Sequence, residues 1–315
     1  MIRRKFFLLA CTASLLLCGC STASLKDDSR LKLTVTIFPI YDWVKEIMGS
    51  AFEDADVTLL LDSGVDMHSY QPSAADIVTI SESDLFVYVG GESDFWAEEA
   101  IEQNPNEDMT SVSLLNILGD AALDETEPDG SVSEGTAVKD EHVWLSIQNA
   151  ILFCNSIADQ LCTLDPQNAD IYKNNLSVYI EKLKAMDSRY AEAIDSASVK
   201  TLVFADRFPF RYLADEYGLT CYAAFQGCSS ETQASFKTVQ FLSQKVDEYN
   251  LHAIMTIDKS DKKLAETVAS ETEAENQTIL TLDSMQSISS NDISNGVTYL
   301  SILDSNLQVL IQALQ

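Results

Sequence analysis

Six short apolar runs rich in β-branched residues constrain this chain's fold more than any other feature. They occupy residues 32–38 (KLTVTIF), 57–61 (VTLLL), 85–89 (LFVYV), 199–205 (VKTLVFA), 253–257 (AIMTI) and 278–282 (TILTL). Helically spaced stretches follow them, the alternation expected of βα units. LFVYV and TLVFA are apolar at consecutive positions, which suits strands covered on both faces, as in parallel sheets packed by helices. The expected fold class is α/β, with two Rossmann-like lobes built on parallel sheets.

Between the two sets of runs lies one long periodic stretch. Asp165-Pro166 reads as an N-cap followed by proline at the first helical position, and Ile171, Leu176, Tyr179, Ile180, Leu183, Met186, Tyr190 and Ile194 follow at helical spacing. About 28 residues at ~1.5 Å each make a rod of roughly 40 Å. Such a rod is a backbone joining two lobes or the core helix of one large domain. The organisation expected is an N-terminal lobe over residues 31–164, a linking helix over 165–195 and a C-terminal lobe over 196–315.

The first residues read as targeting rather than fold. Arg3, Arg4 and Lys5 precede an apolar run over 6–17 that is too short to span a bilayer. Leu17-Cys18-Gly19-Cys20 then resembles the lipobox of bacterial lipoproteins, so residues 1–20 are expected to be a signal peptide whose cleavage leaves a lipid anchor on Cys20. A plain secretory cleavage nearby is the alternative. Residues 21–30 (STASLKDDSR) are polar and aperiodic, as a flexible tether would be.

Twenty basic against 49 acidic residues give a net charge of -29. That charge repels nucleic acid and concentrates cations near the surface, so no nucleic-acid partner is expected. Residues 120–141 (DAALDETEPDGSVSEGTAVKDE) are acidic and nearly free of large apolar groups, a loop that is either plain solvated surface or a gatherer of metal cations. Cys154 and Cys162 are too far apart along a helix for a disulfide and read as buried thiols. Cys221 and Cys228 (CYAAFQGC) flank a short segment and are either disulfide-bonded or unpaired.

The chain has three histidines. His68, in SGVDMHSYQPS, lies in a polar turn after VTLLL; His142, in KDEHVWLS, joins the acidic loop to the next helix. Both stand at loop edges after apolar elements, where ligand sites of open α/β sheets collect. His252 enters a strand and reads as structural. Trp43, Trp96 and Trp144 read as packing residues. Glu92 and Asp258, just past strands, read as loop caps or as groups orienting a ligand imidazole.

The runs TIFPIYDWVKEI, LLLDSGVDMHSYQPSAADIVTISESDLFVYVGGESDFW and DEHVWLS, with RFPFRYLADEYGL, GCSSET and LTLDSMQS, closely resemble the zinc- and manganese-binding receptors of bacterial ABC importers (cluster A-I). That resemblance covers the chain after its first 30 residues. It implies a lipid-anchored, monomeric, non-catalytic receptor on the outer side of the membrane. Such a receptor holds Zn2+, or alternatively Mn2+, between two lobes joined by the long helix and delivers it to a permease. It implies His68 and His142 as ligands from the first lobe and Asp283 from the second. Relatives carry His or Glu five residues before the tyrosine of RFPFRYLADEYGL, where this chain has Arg207, a cation that cannot ligate. Asp206 beside it is the substitute expected, with Glu231 in reserve; Asp206 could instead pair with Arg207. Two carboxylates and two imidazoles would neutralise a divalent ion. Rival readings are a zinc hydrolase using the same ligands and an adhesin with an incidental metal. No HExxH, nucleophile elbow or phosphate loop is present to support the former.

Overall fold

The computed structural model describes residues 30–131, 138–229 and 233–315. The expected signal peptide, Cys20, all of the tether before Arg30, the middle of the acidic loop and Glu231 therefore lie outside the described residues.

The first half carries β1 (Lys32–Val35), α1 (Phe38–Met48), β2 (Asp56–Leu59), α2 (Ala74–Ser81), β3 (Leu85–Tyr88), α3 (Phe95–Glu102), β4 (Thr110–Ser113), α4 (Leu114–Leu118) and α5 (Ile147–Leu164). The strands form one parallel sheet in the order β2-β1-β3-β4. α6 (Ala169–Asp195) follows, 27 residues long. The second half carries β5 (Thr201–Phe208), α7 (Arg211–Tyr217), β6 (Thr220–Gln226), α8 (Phe236–Glu248), β7 (Ala253–Ile257), α9 (Lys263–Ser270), β8 (Thr278–Leu282), α10 (Ser290–Ser294) and α11 (Tyr299–Ala313). Its sheet, ordered β6-β5-β7-β8, is also parallel. Each apolar run thus holds all or most of a strand, and β4 and β6, which carry more polar residues, completed the sheets. Fold class is α/β with two parallel sheets, as expected.

Alternation along β5 explains why its run is continuously apolar. Leu202 and Phe204 join the main core, whereas Val203 and Ala205 join a second core under α8 and α9 with Leu242, Val246, Ile254 and Val268. Both faces are covered, so both must be apolar. The main core runs without a break from Val35, Trp43 and Phe86 through Tyr179, Leu183 and Tyr190 of α6 to Met255, Leu282 and Leu307. Trp43 and Trp144 are fully buried and Trp96 partly so, in keeping with packing roles.

The start of α6 differs from the reading of Asp165-Pro166. Asp165 ends α5, and α6 begins three residues after Pro166. The Asp165 side chain instead accepts hydrogen bonds from Tyr172 Oη (2.6 Å) and Asn168 Nδ2 (2.7 Å), bracing the corner between the helices. An aspartate that can brace a turn and one that can cap a helix look alike in sequence. Hydrogen bonds also tie the halves directly: Trp144 Nε1 donates to Ser284 O (2.9 Å) and Tyr299 Oη to Trp144 O (2.6 Å).

Candidate metal centre

Strand polarity sets where the polar residues gather. In a parallel sheet every strand ends on the same edge, and loops leaving that edge form the crevice of open α/β folds. His68 lies beyond β2, Ser93 beyond β3, Arg207 near the end of β5, Cys228 beyond β6, Asp258 beyond β7 and Asp283 beyond β8.

His68 sits in a single 3-10 turn, Met67–Ser69, anchored by the buried Met67 and capped by Asp66, whose carboxylate accepts from His68 N (3.0 Å). His142 is completely buried and begins another 3-10 turn, Val143–Leu145. The two rings, 74 residues apart in sequence, face each other with Nε2 atoms 3.1 Å apart. Each Nδ1 is already engaged. His68 Nδ1 is 2.7 Å from Ser93 Oγ, and His142 Nδ1 is 3.0 Å from the buried carboxylate of Asp140, which also accepts from His142 N (2.9 Å). Those partners orient both rings and leave Nε2 as the working nitrogen of each. Two bonds of about 2.05 Å meeting at a tetrahedral Zn2+ would hold their nitrogens about 3.3 Å apart. The observed separation is close to that.

Electrostatics give the two rings opposite characters. Burial, and then the charge on His142, push His68 down to about 3, so it is neutral. Burial also pulls on His142, but the charge and hydrogen bond of Asp140, with Glu141 and Asp66 behind them, outweigh it and hold His142 above its ordinary value.

Among the described residues, a third ligating atom joins the pair: the cysteine sulfur of Cys228, with His68 and His142, forms a group whose donor atoms all lie within 4.8 Å of one another. Glu141 flanks it, with Oε2 3.7 Å from His68 Nδ1 and 4.0 Å from Cys228 Sγ, and Oε1 accepting from Ser93 N (2.8 Å). Sequence reasoning placed neither Cys228 nor Glu141 at the site. Cys228 was read there only as a possible disulfide partner of Cys221, and Glu141 stands next to His142.

The two carboxylates expected beside the histidines do not join them. Asp206 accepts the backbone N–H of Arg207 (2.9 Å) and lines a cavity of about 580 Å3 with Arg207, Asp258 and Lys259. Arg207 pairs not with Asp206 but with Asp66 across the halves, Nη2 to Oδ2 at 2.5 Å. Burial pushes Asp66 up, yet Arg207 and the His68 N–H outweigh it and leave Asp66 below its usual range. Asp283 accepts from Met285 N (2.7 Å) and borders a cavity of about 350 Å3 with Asp258 and Ile302; burial and Asp258 raise it to about 6. Short side chains reach only where their backbone turns them, and the irregular stretch of β5 between Phe204 and Arg207 and the turn after β8 spend these carboxylates on nearby N–H groups. Asp258 is a cap, accepting from Ser284 N (2.8 Å) and Oγ (2.6 Å); Glu92 is exposed, and the orienting role falls to Ser93. His252 is exposed. The cysteines are all free among the described residues, so the Cys221–Cys228 disulfide is not formed. Cys221 lies in β6, and seven residues of nearly extended chain separate the two thiols by roughly 20 Å.

Ends of the acidic loop are ordered against the second half. Glu125 accepts from Cys228 N (2.9 Å), Pro128 O accepts from Ala223 N (2.9 Å), and Asp124 forms an ion pair with Lys139 (2.8 Å).

Two parallel sheets whose loops bring side chains able to hold a metal ion from both halves to one point define a two-lobed α/β ligand-binding protein. Residues 33–313 match the family described as zinc-uptake complex component A, periplasmic (ZnuA), and the chain belongs to that family. The zinc-binding lipoprotein AdcA of Streptococcus pneumoniae serotype 4 is 30% identical over 320 residues, an overlap of 99% of this chain and 61% of AdcA. The chain therefore spans about three-fifths of the length of that relative. Among solved structures, the Zn(II)-bound ZnuA-like domain of Streptococcus pneumoniae AdcA is 28% identical with a TM-score of 0.73, covering 90% of this chain and 99% of that one. The metal-dependent lipoprotein YcdH of Bacillus subtilis is 28% identical with a TM-score of 0.76, at the same coverage.

Proposed function

We propose that this chain is the extracytoplasmic receptor of a zinc ABC importer. It takes up one Zn2+ ion per chain, catalyses nothing, and hands the ion to a membrane permease. In this reading it works as a monomer tethered through a lipid on Cys20, with the N-terminal lobe, linking helix and C-terminal lobe divided as the sequence suggests. Among the described residues no helix is long and apolar enough to cross a membrane.

The observation that carries the reading is the pair of imidazole Nε2 atoms 3.1 Å apart, each with its Nδ1 held by an oxygen, in a chain that belongs to a zinc-uptake family. His68 and His142 are the ligands we assign to the ion. With each Nδ1 already held by an oxygen, both rings turn Nε2 toward one point, so the ion is captured at a site built in advance. Zn2+ is preferred over Mn2+ because imidazole nitrogens and few oxygens converge there.

Elemental analysis of the purified protein tests this. One zinc per chain is expected, falling to none when His68→Ala and His142→Ala are combined, with the circular dichroism spectrum unchanged. Stoichiometric zinc retained by the double variant would defeat the assignment.

A further inference from the structure

We infer that Cys228 is the ligand contributed by the second half, so that the ion is held by two imidazoles and a thiolate. This rests on the zinc-receptor reading above and deepens it.

The position five residues before Tyr212 cannot supply a ligand, because Arg207 fills it and its guanidinium is committed to Asp66. Asp206 and Asp283 are turned toward backbone N–H groups and line other cavities. Cys228 is the remaining donor of the second half, among the described residues, that reaches the imidazoles; its sulfur lies within 4.8 Å of both ligating rings. With Zn–N bonds of about 2.05 Å and a Zn–S bond of about 2.3 Å, a tetrahedral ion needs nitrogen and sulfur about 3.6 Å apart. Bringing the sulfur in takes a shift of at most about 1.2 Å, within reach of rotation about its own Cα–Cβ bond.

The backbone is built to present it. A Cβ on Gly227 would lie 2.9 Å from Phe208 O and 3.0 Å from His142 Cε1, so only glycine lets the Cys228 segment press against that ring. On the other side Glu125 Oε1 holds Cys228 N at 2.9 Å. Charge also balances. Binding breaks the S–H bond, forms Zn–S and sends that proton to the buffer, together with the one that His142 carries when protonated; thiolate and two neutral imidazoles leave one positive charge, which faces Glu141 4.0 Å from the sulfur. Because thiolate is soft, this donor set separates Zn2+ from Mn2+ more sharply than a carboxylate would.

Cobalt substitution reads the sulfur directly. The whole protein, loaded with Co2+ in place of zinc, should show the near-ultraviolet thiolate-to-cobalt charge-transfer band. The band should vanish in Cys228→Ser and Cys228→Ala and persist in Asp283→Ala. Zinc affinity of Cys228→Ala should fall by more than the roughly 10- to 100-fold that loss of an outer hydrogen-bond partner costs. A wild-type chain that binds one zinc yet shows no such band, or a Cys228→Ala variant of undiminished affinity, overturns the inference and leaves the receptor reading standing. A wild-type chain that takes up no zinc defeats both.

Discussion

Replacing Asp140 by asparagine keeps an acceptor beneath His142 and removes its charge. In the native chain Asp140, 1% exposed, accepts from both His142 N (2.9 Å) and Nδ1 (3.0 Å). A carboxylate behind a ligating imidazole orients the ring and raises its basicity, and losing one costs 10- to 100-fold in metal affinity, about 1.4 to 2.7 kcal/mol. The same charge does something opposed, since it also holds the competing proton on His142. That folded-state value lies above the unfolded one, so the stabilisation is fully present below about pH 6.5 and is lost as pH rises through the folded value. Asp140→Asn should therefore lower the melting temperature of the metal-stripped protein more near about pH 6 than near about pH 8. Its deficit in zinc affinity should run the other way and widen as pH rises, because the native chain sheds the competing proton there while the ligand defect remains. Competition titration against a chromophoric chelator at both pH values measures the second effect and differential scanning calorimetry the first. Affinity within about twofold of native at both would refute the claim that this carboxylate tunes the site.

Asp42, 4% exposed, accepts from Tyr299 N (2.9 Å) at the start of α11, and burial raises it to about 6. A carboxyl raised from 3.8 stabilises the fold below that value and loses the contribution as pH climbs to about 6, by roughly 3 kcal/mol. Asp42→Asn should flatten that part of the stability–pH curve of the metal-stripped protein, measured by urea unfolding; an unchanged curve would exclude the assignment. Gly227→Ala should cost about 1–3 kcal/mol by overpacking and weaken zinc binding along with it, and an unaltered urea midpoint would show that the contact relaxes freely. Tyr299→Phe leaves Trp144 O without its 2.6 Å donor in a fully buried setting and should cost about 1–3 kcal/mol by urea unfolding. No measurable change in that variant would mean water replaces the hydroxyl.

How much of this was legible in the residues follows from the range of the forces involved. Strands that must be apolar on both faces advertise themselves, so TLVFA and LFVYV disclosed parallel sheets and, through sheet polarity, the edge where ligands gather. His68 and His142 could be singled out because imidazoles at loop edges are rare in a chain with three. What sequence spacing does not carry is the direction in which a loop turns a short side chain. Asp206, one residue from Arg207, read as a metal ligand or else as the partner of that guanidinium; β5 instead aims the guanidinium across the crevice at Asp66, 141 residues away, and Asp206 folds back on its neighbour's N–H. Cys228 was weighed only against Cys221, because two cysteines seven apart invite that comparison. Extended backbone forbids the bridge, and once β6 is recognised as a strand running to Gln226, an unpaired thiol two residues past its end is already at the crevice. Gly227 then matters for what it lacks, since a methyl group there would meet the His142 ring and hold the thiol away from the imidazoles.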